Sequence, residues 1–168
     1  MLNVPRSKLA QASTALVALL VGVAVYWVDR QPESVYFMAL WGNQGGNVGL
    51  GFGGLGNHLP TFLHVYAFIM LTLAVVVPTR DRAIAICALW FVADSLFELG
   101  QTGIIAGQIA NGVPDWFQGI PFLENTVDYF VHGTFDVIDL YSIALGSLAA
   151  FLTFGVSAPR VHKGGSNV

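Results

Sequence analysis

Four long apolar segments constrain the fold of this chain more strongly than any other feature. They cover about residues 10–28, 59–77, 83–106 and 135–156. A helix of roughly 20 mostly apolar residues is long enough to cross the hydrocarbon core of a bilayer. Only 10% of the 168 residues are charged and 55% are hydrophobic, so a soluble domain of this size would leave much apolar surface in water. The sequence therefore predicts a single all-α membrane domain over residues 1–168, a bundle of four transmembrane helices.

The basic residues predict the orientation of this bundle. Four spans place six of the seven Lys and Arg residues on one side of the membrane, namely Arg6, Lys8, Arg80, Arg82, Arg160 and Lys163. Only Arg30 lies on the opposite side. Because short cytoplasmic loops are enriched in Lys and Arg, we expect both termini to lie in the cytoplasm. The net charge of −3, without a cluster of basic residues, gives no reason to expect a nucleic-acid partner.

Two long connections then face outward. The first, residues 29–58, contains eight glycines between Gly42 and Gly56 and is predicted to be a glycine-rich outer loop. No Gly-Lys-Ser/Thr follows these glycines, so they do not form a phosphate-binding loop, and we expect no cofactor. The second connection, residues 107–134, combines prolines and aromatic residues with a few acids. Aromatic rings favour the headgroup level of a bilayer, so we expect an interfacial aromatic segment.

Polar side chains within the spans are the candidate functional residues. An ionisable group near the bilayer centre costs about 2.5–3.5 kcal/mol on insertion, so each requires a reason. In the third span, Asp94, Glu98 and Gln101 share one helical face through their i, i+4, i+7 spacing. A rise of about 1.5 Å per residue places Asp94 near the midplane and a further group in the outer third of the membrane: His64, Glu98, Gln101, Asp136 and Asp139.

Three interpretations of this polar group remain open. The side chains form a structural seam of interhelical hydrogen bonds, or they line an outward-facing pocket that binds a polar headgroup or a cation. One histidine with three carboxylates would also suit a divalent metal. We expect no metal, however, because the sequence has no HExxH or comparable ligand spacing.

Small residues recur every four positions at two places. Gly103 and Gly107 lie at the end of the third span, and Ser142, Gly146 and Ala150 lie along the fourth. Such spacing allows helix backbones to approach closely. We expect both sets to pack inside the bundle, with dimerisation as the alternative.

Three segments resemble the VanZ-like family of bacterial integral membrane proteins. They are LPTFLHVYAF at 59–68, ALWFVADSLFELGQ at 88–101 and FDVIDLYSIALGSLAAFL at 135–152. The family pattern is a histidine then a tyrosine on one helix, Glu-x-x-Gln on the next, and an aspartate followed by a glycine on the last. The resemblance implies a multi-pass protein of the bacterial cytoplasmic (inner) membrane with a role in the cell envelope. It assigns site positions to His64, Glu98, Gln101 and Asp139.

These observations predict a protein that binds a membrane lipid headgroup or amphiphile through its polar residues, with the glycine-rich loop closing over the ligand. One alternative is an accessory subunit of a larger membrane complex, with an integral-membrane protein as its partner. A second is an intramembrane hydrolase that uses His64 as a base. We favour a protein without enzymatic activity, because no serine or cysteine nucleophile is evident at the depth of His64; hydrolysis through an activated water, which needs no such nucleophile, stays open.

Overall fold

The computed structural model describes residues 6–29, 51–76 and 79–157. These residues form six α-helices: α1 (Arg6–Asp29), α2 (Gly54–Val75), α3 (Arg80–Gly100), α4 (Gly103–Gly112), α5 (Thr126–His132) and α6 (Val137–Ser157). Helices α1, α2, α3 and α6 are each long and apolar enough to cross a membrane. The predicted all-α fold with four candidate spans is therefore confirmed. Most of the predicted glycine-rich loop, residues 30–50, lies outside the described residues.

The third span is shorter than the sequence predicted. Helix α3 ends at Gly100, whereas the apolar pattern continues to about residue 106. The reason is a tight turn in which the Gln101 N–H donates to the Glu98 carbonyl at 3.1 Å. The Thr102 hydroxyl also donates to the Leu99 carbonyl, at 2.8 Å. These bonds satisfy carbonyls at the end of the helix, and the chain changes direction before α4 begins at Gly103.

The remaining spans begin and end close to the predicted residues, except at the start of α2. This helix begins at Gly54, earlier than the predicted residue 59. It is held to the end of α1 by Asp29, whose Oδ1 accepts a hydrogen bond from the Phe52 N–H at 2.9 Å. Gly56 lies directly against the Asp29 carboxylate, where any side chain would collide with it. The missing side chain at Gly56 therefore allows α1 and α2 to meet as an antiparallel pair.

The core lies where α2 packs against α1 and α6. Helix α3 packs against α6 and, less extensively, against α2, whereas α4 packs mainly against α5. The core is centred on Val65, Ile69, Met70, Leu73 and Ile143, which are all fully buried. Large apolar side chains such as those of Leu16, Leu96 and Leu145 are exposed around the outside of the bundle. This arrangement suits a helix bundle whose outer surface contacts lipid.

The two sets of small residues behave differently. A Cβ atom added at Gly146 would lie 2.6 Å from the Phe62 carbonyl oxygen, so the backbones of α2 and α6 are in close contact there. The expected packing inside the bundle is confirmed at this position. At Gly103 and Gly107 the described residues make no such contact, because added Cβ atoms there would meet nothing within 4 Å. The turn after Gly100 is the reason, since it directs α4 away from the bundle core.

A hydrogen bond between side chains joins α2 to α3. The Trp90 Nε1–H donates to the Thr72 hydroxyl at 3.0 Å, and that hydroxyl donates to the Phe68 carbonyl at 2.8 Å. A double-mutant cycle of Trp90→Phe and Thr72→Val should give a coupling energy of about 0.6 kcal/mol, typical of interhelical bonds in membranes. Reversible unfolding in mixed micelles would measure it. Strictly additive effects would show that this bond does not stabilise the helix pair.

Candidate functional site

Glu98 joins the last turn of α3 to the beginning of α6. Its side chain is 7% exposed, and its Oε1 accepts a hydrogen bond from the Asp136 backbone N–H at 2.7 Å. Asp136 directly precedes α6, so the carboxylate lies beside the positive end of that helix dipole. Such a charge-assisted bond to a backbone N–H is stronger than a neutral one. Glu98 therefore has a structural partner.

His58 lies between two carboxylates of the last span. Its Nδ1 is 3.1 Å from the Asp139 Oδ1, and its Nε2 is 3.9 Å from the Asp136 Oδ2. The other oxygen of Asp136, Oδ1, accepts from the Ile138 N–H at 2.8 Å and caps the start of α6. Together with Glu98, these three residues form the His58 network.

His58, and not His64, contacts the paired aspartates, which the sequence analysis did not predict. The two histidines are six positions apart on α2, which separates their directions by about 120° around a helix. Only one of them is therefore able to face Asp136 and Asp139. A predicted start at Gly54 would have placed His58 on α2. The glycines and polar residues before Leu59 gave no indication that the helix begins there.

Gln101 lies to one side of this network. It forms a side-chain hydrogen bond with Tyr129, and burial raises the pKa of the Tyr129 phenol, which this bond partly offsets. Gln101 also packs against Gly133, where an added Cβ would lie 2.6 Å from the glutamine amide carbon. The predicted stripe of Asp94, Glu98 and Gln101 is thus divided at the end of α3, because Gln101 is in the turn that follows the helix.

A large cavity lies between α1, α2 and α3. Its volume is about 810 Å³, within the usual range for small-molecule sites. We call it the α1–α3 cavity. It is lined by residues from all three helices and from the segment before α6, including Val23, Tyr26, His64, Trp90, Asp94, Phe97, Glu98, Phe117, Phe122, Leu123 and Tyr129.

Asp94 and His64 are two of the polar residues that line this cavity. The Asp94 Oδ2 is buried and has no hydrogen-bond partner among the described residues. The His64 ring makes an edge contact with Phe68, with ring centroids 4.4 Å apart. A buried polar atom without a partner costs about 1–3 kcal/mol, and among the described residues one side-chain oxygen each of Gln11, Ser95 and Ser147 is in the same situation.

The predicted site residues therefore fall into three places. His64, Asp94 and Glu98 line the α1–α3 cavity, while Asp136 and Asp139 belong to the His58 network. Gln101 borders a separate groove beside α4. Glu98 belongs to both the cavity and the network. Over the described ranges, no cluster of three or more His, Cys, Asp or Glu residues is arranged to hold a metal ion.

Side chains of the interfacial aromatic segment line the cavity. None of the described glycines of the glycine-rich loop does so. Phe117, Phe122 and Leu123 contribute to its lining from the segment between α4 and α5. The sequence analysis predicted that the glycine-rich loop closes over the ligand. Most of that loop, residues 30–50, lies outside the described residues. The aromatic segment that the sequence predicts at the membrane interface thus also contributes to the lining of the cavity.

Arrangements for nucleophilic catalysis are not present in the described part of the chain. No serine or cysteine there hydrogen-bonds to a histidine: the Ser142 hydroxyl donates to the Ile138 carbonyl at 3.0 Å. The Ser95 hydroxyl is buried without a partner. A nucleophile needs a base within hydrogen-bond reach, so the hydrolase alternative gains no support from these contacts.

No protein-family model matches the chain, and neither the curated proteins nor the solved structures include a significant match. The function therefore has to be inferred from the geometry of its own residues.

Proposed function

We propose that this chain is a multi-pass, VanZ-like protein of the bacterial inner membrane that binds the headgroup end of a lipid or amphiphile in the α1–α3 cavity. In this proposal both termini are cytoplasmic, and the end of the bundle that carries α4 and α5 faces the extracytoplasmic side. The orientation follows from the basic residues, since Arg80 and Arg82 lie at the opposite end of α3 from Glu98.

The observation that supports binding is the cavity of about 810 Å³, which is lined by the side chains of two acidic residues of a predicted span, Asp94 and Glu98. A purely structural seam would not need a space of this size. The His58 network shows what a seam looks like in this protein: its carboxylates are paired with His58 or with a backbone N–H. Asp94 differs from them, and intramembrane ionisable groups of this kind usually mark functional sites.

Charge-removing substitutions test this proposal. Asp94→Asn and Glu98→Gln should each lower the lipid retained per protein about tenfold, because a charge-assisted hydrogen bond contributes about 1.5–3 kcal/mol. Asp139→Asn should have a smaller effect, since Asp139 contacts His58 and does not line the cavity. The measurement is mass spectrometry of lipids extracted from protein purified in mild detergent. Unchanged retention in both cavity variants, with the fold intact, would remove the proposal.

A second candidate is an accessory subunit of a membrane complex, and α4 supplies the observation in its favour. Gly103 and Gly107 have open space beside them, and the Ile104 side chain is among the most exposed apolar groups. A small-residue face that meets no other described residue suits a partner helix. A polypeptide that co-purifies in fixed stoichiometry would favour this candidate.

A further inference from the structure

The charge and the walls of the α1–α3 cavity define the chemical class of its ligand more closely than the proposed function does. We infer that the cavity takes an amphiphile with a cationic amine headgroup, which reaches Asp94 sideways from the membrane between α1 and α3. This inference rests on the proposed function, because it requires that the cavity binds an amphiphile at all.

The ionisable groups of the cavity favour a cation. Asp94 and Glu98 lie one helical turn apart on α3, and both line the cavity. No Lys or Arg is present among the described residues that line it. An anionic phosphate or carboxylate placed there would face two acids, with His64 as the one basic side chain among the described lining residues, and a site of low dielectric penalises such like charges strongly. An ammonium group would instead be attracted by both carboxylates, which accept charge-assisted hydrogen bonds.

The aromatic walls favour the same ligand. Trp90 and Phe97 line the cavity from α3, on the helix that carries Asp94, and Tyr129 and Phe130 line it from α5. The faces of aromatic rings attract cations, by about 0.5–2 kcal/mol per contact. A site that combines carboxylates with several aromatic rings is the usual environment for amine and ammonium groups in proteins. A neutral alcohol headgroup would hydrogen-bond to the carboxylates but would lack the positive charge that both the carboxylates and the ring faces attract.

The packing of the helices leaves a route by which the ligand enters the cavity from the membrane. Helices α2 and α6 form the centre of the bundle, while α1 and α3 pack against them and make little contact with each other. The cavity lies in the gap between α1 and α3, and Val23 and Phe97 on its two sides are both substantially exposed. Exposed apolar residues at the rim of a gap suit an acyl chain, which would remain in the lipid while its headgroup enters.

The depth of Asp94 supports this sideways route. It lies six positions before the end of α3 at Gly100, which corresponds to about 9 Å along the helix axis. Phe117, Phe122 and Leu123 cover the cavity from the segment that precedes α5. A headgroup at Asp94 would therefore lie below the surface of the membrane, and its chain would leave through the gap between the helices.

Quenching of Trp90 fluorescence tests the inference. The variant keeps Trp90 as its only tryptophan, with Trp27, Trp41 and Trp116 changed to phenylalanine, in nanodiscs of an uncharged lipid. Three amphiphiles with the same brominated chain are compared: a primary amine, an alcohol and a carboxylic acid. The amine, which is protonated at pH 7, should quench at about tenfold lower concentration than the other two. Adding Asp94→Asn should remove this advantage of the amine over the alcohol.

The outcomes distinguish a failure of the cationic-ligand inference from a failure of amphiphile binding as such. Equal quenching by all three amphiphiles, each reduced by Val23→Phe at the rim, would contradict the cationic ligand but leave amphiphile binding intact. Stronger quenching by the carboxylic acid would also contradict it. If no amphiphile quenches Trp90 more strongly than it does in the Val23→Phe variant, the cavity is closed to amphiphiles. This result would overturn both the inference and the proposed function.

Discussion

Gly146→Leu should lower the free energy of unfolding by about 3 kcal/mol, the largest stability effect that we expect from a single substitution in this chain. An added Cβ at this position would lie 2.6 Å from the Phe62 carbonyl oxygen and 3.4 Å from the Val65 Cβ. The first of these is a backbone atom, so the collision is relieved only if α2 and α6 move apart. Overpacking of this kind costs about 1–3 kcal/mol, occasionally more.

The matched control is Gly155→Leu on the same helix. An added Cβ at Gly155 would meet nothing within 4 Å, so this substitution changes the same residue type without the collision. Both variants are compared by reversible unfolding in mixed micelles, and the control should differ little from the unmodified protein. Equal stability of the two variants would show that α2 and α6 do not pack closely at Gly146.

Val23→Phe should remove most of the retained lipid and should be the largest effect on binding. Val23 lines the α1–α3 cavity and is 38% exposed, so a larger ring there narrows the gap between α1 and α3 without displacing the buried core. Lipid retained per protein after purification in mild detergent should fall at least about tenfold, the change expected when about 1.4 kcal/mol of binding is lost.

Leu20→Phe is the control for this variant. Leu20 lies on the same helix and is 59% exposed, but it does not line the cavity. It therefore adds a comparable aromatic ring to a surface that contacts lipid, and retention should be unchanged. Equal loss in both variants would show that the lipid is held at the general surface of α1 and not in the cavity.

Hydrophobic length was sufficient to predict the four spans, because a helix that crosses a bilayer needs a continuous apolar segment. The end of α3 was not predictable in this way. The residues after Gly100 remain apolar, and the break depends on hydrogen bonds from Gln101 and Thr102 to the last carbonyls of the helix. The apolar pattern therefore assigns Gly103 and Gly107 to the third span, although they lie on a separate helix, α4.

The depth of each residue, estimated from its position along its helix, correctly predicted that Glu98 and Asp136 lie close together. It did not predict which groups the carboxylates contact. Glu98 and Asp136 meet at the ends of their helices, as rise per residue predicted. Which histidine joins them depends on the rotation of α2, and that is determined by its packing against α1 and α6. The unpaired oxygen of Asp94 likewise becomes visible only when the surrounding side chains are placed.

Native mass spectrometry of the protein, purified gently from its own membrane, tests the central claim most directly. Binding in the α1–α3 cavity predicts a population that carries one additional mass in the range of a lipid or other amphiphile, and this population should be lost in Asp94→Asn. A protein without any retained amphiphile, or one that carries only a second polypeptide in fixed stoichiometry, would contradict the account.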